Sequence, residues 1–245
     1  MTIHTLLTPT ELPALAQRDL SETTCVVFDI LRATSTLVTA LHHGAQAIIP
    51  VSEIAEAVAL QRQQPDLLLA GERDGLRIRA EQSGGIDFDF GNSPREFRPE
   101  KVRGRTLVST TTNGTRALRA CAPARVVLAA SFLNLAATAR FLNEAAPEEL
   151  LLVCAGTGEG VALEDVFAAG ALAGLVSGQH TDSTEVAVRA YAPAKADLPA
   201  ALICAQNARR LLAIPELRAD VAYCAQRDLY KLVAVMHPDG RIRRA

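Results

Sequence analysis

Apolar positions along the chain follow two patterns that alternate. Short unbroken runs of apolar and β-branched residues, such as Cys25-Val26-Val27-Phe28 leading to Asp29-Ile30, predict strands covered on both faces. Apolar residues at helical spacing, such as Leu37, Val38 and Leu41 ahead of Gly44, predict helices with one buried side and a glycine stop. By these criteria strands are expected over 2–7, 25–30, 46–51, 67–70, 106–110, 125–130, 150–155 and 221–224. Helices are expected over 11–17, between Thr34 and Gly44, over 53–64 where Pro65 ends the run, from 117 onward, and over 133–143, 166–177, 183–191 and 199–212. Residues 76–98 carry turn chemistry instead of periodicity, and a loop of that length is usually functional or mobile. The basic residues Arg241, Arg243 and Arg244 read as a tail. The fold class implied is α/β, layered α/β/α with strand-loop-helix units. It is read as a single domain over 1–245, and an echo between Val26-Val27 and Val126-Val127 leaves open two similar halves, 1–122 and 123–245.

Composition narrows the function classes. With 245 residues and 49% hydrophobic content the chain can bury a large core. Its 25 basic and 27 acidic residues give a formal net charge of −2, so no global field draws it to nucleic acid or anionic lipid, and any anion site must be local. The five cysteines are odd in number, widely spaced and without a zinc pattern, so they read as reduced thiols. The start MTIHTLLTPTEL lacks a signal-peptide pattern and no apolar run approaches ~18 residues. A cytoplasmic protein with no membrane partner is the expectation.

Four polar stretches follow predicted strands. Asp29 ends one, with Arg32, Thr34, Ser35 and Thr36 opening the next helix. A carboxylate there could cap the helix, hold a metal or act in catalysis. Arg32 gains nothing from the positive end of a helix but would welcome an anion. Gly71-Glu72-Arg73-Asp74-Gly75 follows the strand over 67–70, and Thr111-Thr112-Asn113-Gly114-Thr115-Arg116 follows the one over 106–110. The second offers more hydroxyls than a cap needs, which suits an anion cradle. Gly156-Thr157-Gly158-Glu159-Gly160 matches neither the dinucleotide fingerprint nor a P-loop. Glu164-Asp165 behind it suit either a helix dipole or Mg²⁺. Cys204 and Arg210 match the Cys-x5-Arg count of cysteine phosphatases, but the intervening residues read as helix rather than a phosphate loop.

Taken together, Val26 to Thr34, Gly71-Glu72-Arg73, Phe88 to Pro94, Thr111 to Thr115, Cys154-Ala155-Gly156, Leu163-Glu164-Asp165 and Asp220 to Gln226 resemble the ComB family of 2-phosphosulfolactate phosphatases, in the same order. The resemblance implies a Mg²⁺-dependent hydrolase of coenzyme M biosynthesis that converts (2R)-2-phospho-3-sulfolactate to 3-sulfolactate and phosphate. On that reading Asp29, Glu164 and Asp165 hold Mg²⁺, and Asp29, Arg32, Arg73 and Asn113 are catalytic. Thr34, Ser35, Glu72, Asn92, Ser93, Thr111, Thr112, Gly114, Thr115, Arg116 and Gly156 bind the small phosphorylated sulfonate or carboxylate. The nucleophile stays open among Asp29, Cys154 and a metal-bound water, and a homodimer is compatible with the resemblance. Two departures stand out: Asp87 replaces a usual glycine, and Gln206-Asn207-Ala208 replaces a Ser-x-Gly segment, a change expected to touch only packing. The alternatives are a phosphatase for another small phosphorylated acid and a non-catalytic binder of anionic metabolites.

Overall fold

The computed structural model describes residues 1–245. Its strands are β1 Thr2–Leu6, β2 Thr23–Phe28, β3 Ala47–Pro50, β4 Leu68–Arg73, β5 Leu76–Arg77, β6 Thr106–Thr110, β7 Val126–Ala130, β8 Glu149–Cys154, β9 Gln179–His180, β10 Ala234–Met236 and β11 Ile242–Arg244. Its helices are α1 Leu12–Leu15, α2 Ala33–His42, α3 Ile54–Gln63, α4 Ala80–Ser83, α5 Pro99–Val102, α6 Gly114–Ala120, α7 Leu135–Ala145, α8 Leu163–Ala173, α9 Asp182–Ala194, α10 Leu198–Leu202, α11 Gln206–Leu212 and α12 Arg218–Cys224.

All strands join one sheet in the order β5-β4-β6-β3-β11-β10-β7-β2-β8-β1-β9. Two parallel blocks, β4-β6-β3 and β7-β2-β8-β1-β9, are bridged by the antiparallel pair β11 and β10. β2 lies inside the second block, where Val26 pairs with Leu128 on one side and Leu152 on the other. Its side chains alternate between two apolar clusters. Cys25 and Val27 meet Leu37 and Val38 of α2 and Leu118 of α6, whereas Val26 and Phe28 meet Leu135 of α7, Leu172 of α8 and Ala187 of α9. Burial on both faces is why the strand reads as an unbroken apolar run, and each such side chain stabilises the fold by roughly 1.5–3 kcal/mol. A third cluster packs Ala57 and Val58 of α3 against Leu69 of β4 and Val108 of β6. The architecture is the layered α/β arrangement expected.

Sheet curvature positions the site. β6 and β8 are six neighbour steps apart, which in a flat sheet would be ~29 Å at the usual strand spacing. Yet Asn113, just beyond β6, donates from Nδ2 to the carbonyl of Ala155, just beyond β8, at 2.8 Å. Three residues of loop cannot span that gap, so the sheet curls, with α2 and α6 packed between the blocks on its inner face.

Several elements differ from the expectations. Residues 221–224 are not a strand but the last turn of α12, in which Asp220, Val221 and Cys224 are buried. Four apolar-leaning residues fit either period, and here packing against α11 decides. The expected helix over 199–212 is two helices, α10 and α11, and the loop over 76–98 contains β5, α4 and a 3-10 turn at Pro94–Glu96. Residues 242–244 are not a free tail: Ile242 is fully buried and pairs with Ile48, making β11 the link between the blocks.

Candidate active site

A cavity of about 270 Å³ opens where the carboxyl ends of β2, β4, β6 and β8 converge, and only three of its sixteen lining residues are hydrophobic. Carboxyl ends of parallel strands are where α/β proteins place ligands, because the following helix starts leave N–H groups and loops free there.

The β2–α2 turn supplies Asp29, which lines the cavity. Its Oδ1 accepts the Ala33 N–H at 3.0 Å, and Thr34 Oγ1 accepts the Asp29 N–H at 3.0 Å. Ser35 donates to the Ile30 carbonyl at 2.9 Å and Thr36 to the Asn92 carbonyl at 2.8 Å. The hydroxyls of this stretch therefore latch the turn. Thr34 and Ser35 are fully buried and do not line the cavity, whereas Asn92 does. Opposite, Gly114 begins α6 so close to Asp29 that a Cβ on it would stand 2.5 Å from Asp29 Oδ2. Only glycine lets the α6 backbone approach the carboxylate.

Two carboxylates brace the walls. Arg32 Nη1 donates to Asp220 Oδ2 at 2.8 Å, in an ion pair whose side chains are 2% and 0% exposed. Ser93 Oγ holds the other oxygen, Asp220 Oδ1, at 2.7 Å, and Arg32 Nη2 also donates to the Gly75 carbonyl. Glu72 Oε1 accepts from the N–H and hydroxyl of Thr112 at 2.9 and 3.0 Å, and Oε2 from the Gly75 N–H at 2.7 Å. Arg32, Glu72 and Thr112 line the cavity. Arg73 and Arg116 do not: Arg73 donates to the Glu72 carbonyl and Thr110 Oγ1, and Arg116 points from the exposed face of α6.

The threonine stretch is largely occupied with itself. Thr111 and Thr115 exchange N–H-to-hydroxyl bonds at 3.0 and 3.1 Å, both residues being buried away from the cavity. Asn113 lines the cavity and ties two carbonyls of the glycine loop, Ala155 and Gly158, at 2.8 and 2.9 Å.

Behind that loop Asp165 accepts the Ile30 N–H at 2.8 Å on Oδ1 and the Gly156 N–H at 3.0 Å on Oδ2, so it fastens the β2 and β8 ends together. Gly156 itself lines the cavity. Glu164 Oε1 accepts from Asn207 Nδ2 at 2.7 Å, and Oε2 is a buried oxygen with no hydrogen-bond partner. Asn207 Nδ2 also donates to Thr157 Oγ1 at 2.6 Å and lines the cavity. The segment expected to touch only packing thus forms part of the wall, since α11 presents that face inward.

The electrostatics follow from burial. Desolvation pushes the Asp29 carboxyl up to about 7, with Glu72 and Glu164 adding repulsion against the opposing pull of the Ala33 N–H and Arg32. Burial likewise raises Glu164, and it raises Asp165 well above the usual range with help from Asp29 and Glu164. Burial also pushes the Cys154 thiol far up, which favours the protonated, packing form. No three Asp, Glu, His or Cys side chains converge tightly enough to hold a metal by themselves. Mg²⁺, however, commonly takes only one or two carboxylates and fills its shell with water and substrate phosphate. The unpartnered Glu164 Oε2 fits such a cation, and Glu164, although not a lining residue, is near enough to Asp29 to raise its carboxyl by repulsion, while both oxygens of Asp165 accept backbone N–H groups.

The site residues that sequence reasoning missed are Asp220, Asn207, Asp74, Thr157 and Arg210. Asp220 sat within a resembling run, Arg210 within a rejected count, Asn207 within a noted departure, and Asp74 and Thr157 within two of the polar stretches that follow strands, but nothing local marks which of them face this cavity.

A family model described as 2-phosphosulpholactate phosphatase matches residues 8–239. A protein of Caldanaerobacter subterraneus subsp. tengcongensis is 37% identical over 226 residues, covering 90% of each chain. One of Thermotoga petrophila is 40% identical over 214 residues, covering 87% of this chain and 88% of its own. One of Clostridium acetobutylicum is 35% identical over 216 residues, covering 86% and 88%. All three bear the description "Probable 2-phosphosulfolactate phosphatase".

Proposed function

The chain belongs to the 2-phosphosulpholactate phosphatase family, and on that premise we propose that it is a Mg²⁺-dependent phosphoric monoester hydrolase releasing phosphate from 2-phosphosulfolactate to leave sulfolactate. The observation that carries this reading is a polar cavity of about 270 Å³ lined by Asp29, with the buried, unpartnered Glu164 Oε2 just behind its wall, where Glu164 is bonded to the lining residue Asn207. A carboxylate oxygen buried without a donor is costly, and a cation is the partner that removes the cost.

In this reading Asp29 and Glu164 hold the Mg²⁺, which when bound neutralises charge on the phosphoryl oxygens. Everything else is done by fixed side chains. Arg32, held in place by Asp220 and the Gly75 carbonyl, adds a permanent positive charge beside Asp29. Asn92 also lines the cavity, and in this reading its side-chain amide donates to a phosphoryl oxygen. Asn113 and Asp165 clamp the glycine loop from two sides, so its backbone is positioned before substrate arrives. Glu72 spends both oxygens on the facing loops and acts as a strut between β4 and the start of α6. A cytoplasmic location belongs to the same reading, and so does the absence of nucleic-acid partners, which the near-neutral net charge of −2 supports; no helix is long and apolar enough to cross a membrane.

The test is phosphate release from phosphosulfolactate, phospholactate and phosphoglycerate by the purified protein, with Mg²⁺ and after treatment with a chelator. Mg²⁺-dependent release fastest from phosphosulfolactate is the expected result. Faster release from another ester reassigns the substrate, and tight binding without release makes the protein a binder.

A further inference from the structure

The cavity is lined by three carboxylates, Asp29, Glu72 and Asp74, and the phosphate end as read above leaves one of its cations without a role. Two cationic side chains line it, Arg32 and Arg210. Arg32 is committed: Asp220 takes one arm at 2.8 Å and the Gly75 carbonyl the other. The guanidinium of Arg210 makes no ion pair and no hydrogen bond to the protein, although that of its neighbour Arg209 is satisfied by the Cys204 carbonyl.

Its placement is deliberate in the sense that a helix face puts it there. Asn207, Arg210, Leu211 and Ile214 all line the cavity, and they are spaced three, four and seven residues apart, so α11 and the turn after it give one continuous stripe to the cavity. The stripe is anchored at its start, where Asn207 bonds Thr157 and Glu164. Leu211 and Ile214 account for two of the three hydrophobic lining residues. Arg210 is exposed as well as lining the cavity, so its guanidinium is free to meet an incoming anion. Its planar fork also matches a three-oxygen sulfonate or a carboxylate with two donors at once.

We propose that Arg210 binds the second anionic group of the substrate, the sulfonate or carboxylate of a phosphorylated short-chain acid, and thereby selects such acids over plain phosphate esters. The proposal rests on the phosphatase reading above for the phosphate end only. Arg73 is not placed to make this contact, because it does not line the cavity and its guanidinium is held on the Glu72 carbonyl and Thr110 Oγ1.

The experiment compares the full chain with Arg210→Lys and Arg210→Gln, using phosphosulfolactate and isopropyl phosphate as substrates, and titrates 3-sulfolactate and inorganic phosphate as separate ligands. Thermal melting confirms that all three proteins are folded. Arg210→Gln is expected to lower the ratio of kcat/KM for phosphosulfolactate over isopropyl phosphate roughly 10- to 100-fold, through KM, with Arg210→Lys recovering part of it. The ratio of 3-sulfolactate affinity to phosphate affinity should fall in step. An equal fall on both substrates would place Arg210 at the phosphate and overturn the proposal, and no fall on either would make it a solvated surface charge. If the wild type hydrolyses neither ester, the phosphatase reading fails by itself. The titrations then decide: sulfolactate binding lost in Arg210→Gln supports the proposal, and binding that is unchanged, or absent in the wild type, overturns it.

Discussion

Asn207 Nδ2 donates to Glu164 Oε1 at 2.7 Å, and this single bond fixes which oxygen of Glu164 is left over, since Oε2 has no partner and no access to solvent. A group that orients a metal-binding carboxylate without touching the metal usually changes affinity by roughly 10- to 100-fold when removed. Asn207→Ala should therefore raise the Mg²⁺ concentration for half-maximal phosphate release by about tenfold or more, and Mg²⁺ should raise its melting temperature less than that of the wild type. If half-saturation does not move, Glu164 is not a cation ligand held by Asn207.

Asp29 has two duties that one substitution separates. Asn at this position keeps an oxygen to accept the Ala33 N–H but removes the negative charge facing the cavity. Asp29→Asn is expected to lower turnover by at least ~100-fold while the unfolding midpoint hardly changes. Retained turnover with lost stability would show that capping α2 is all Asp29 does.

Asp220 is expected to act on stability first. Removing it by Asp220→Ala leaves Arg32, 3% exposed, as a buried cation without its carboxylate. Breaking such a pair typically costs about 3–5 kcal/mol, to be read from the midpoint of urea unfolding. Ser93→Ala removes only one hydrogen bond to Asp220 and should cost about 1 kcal/mol. Equal effects would mean that the hydroxyl, not the charge pair, holds the wall.

Stability should also depend on pH in an unusual direction. Asp29 titrates at about 7 in the folded protein, and Glu164 and Asp165 are raised too, because burial disfavours their charged forms. The unfolded chain releases the same protons near pH 4. Between those limits the folded state binds more protons than the unfolded one, so stability falls as pH rises. The contribution is complete below about pH 4 and, for Asp29, lost by about pH 7. Without divalent cations the melting temperature of the wild type should decline from pH 5 to pH 8 more steeply than that of Asp29→Asn, and Mg²⁺ should restore most at the alkaline end. Parallel profiles for the two proteins would remove Asp29 from this account.

The chain by itself determined the strand-turn-helix unit around Asp29, the alternation of strands and helices and the carboxylates in the first turn of α8. Each of these is written in local period: a doubly buried strand is an unbroken apolar run and a helix start carries its own caps. Only the tertiary structure decided which polar residues share one cavity. Arg32 meets Asp220 across 188 residues of sequence, and Asn207 meets Glu164 across 43. Arg73 and Arg210 look alike in sequence, yet backbone and hydroxyl acceptors beside β4 hold the first outside the cavity, and the face that α11 presents carries the second into it. The same holds for β10 and β11, too short to show a period and inserted between the two parallel blocks. Strand order, sheet curvature and the facing of a helix depend on contacts between distant segments, which no window of sequence contains.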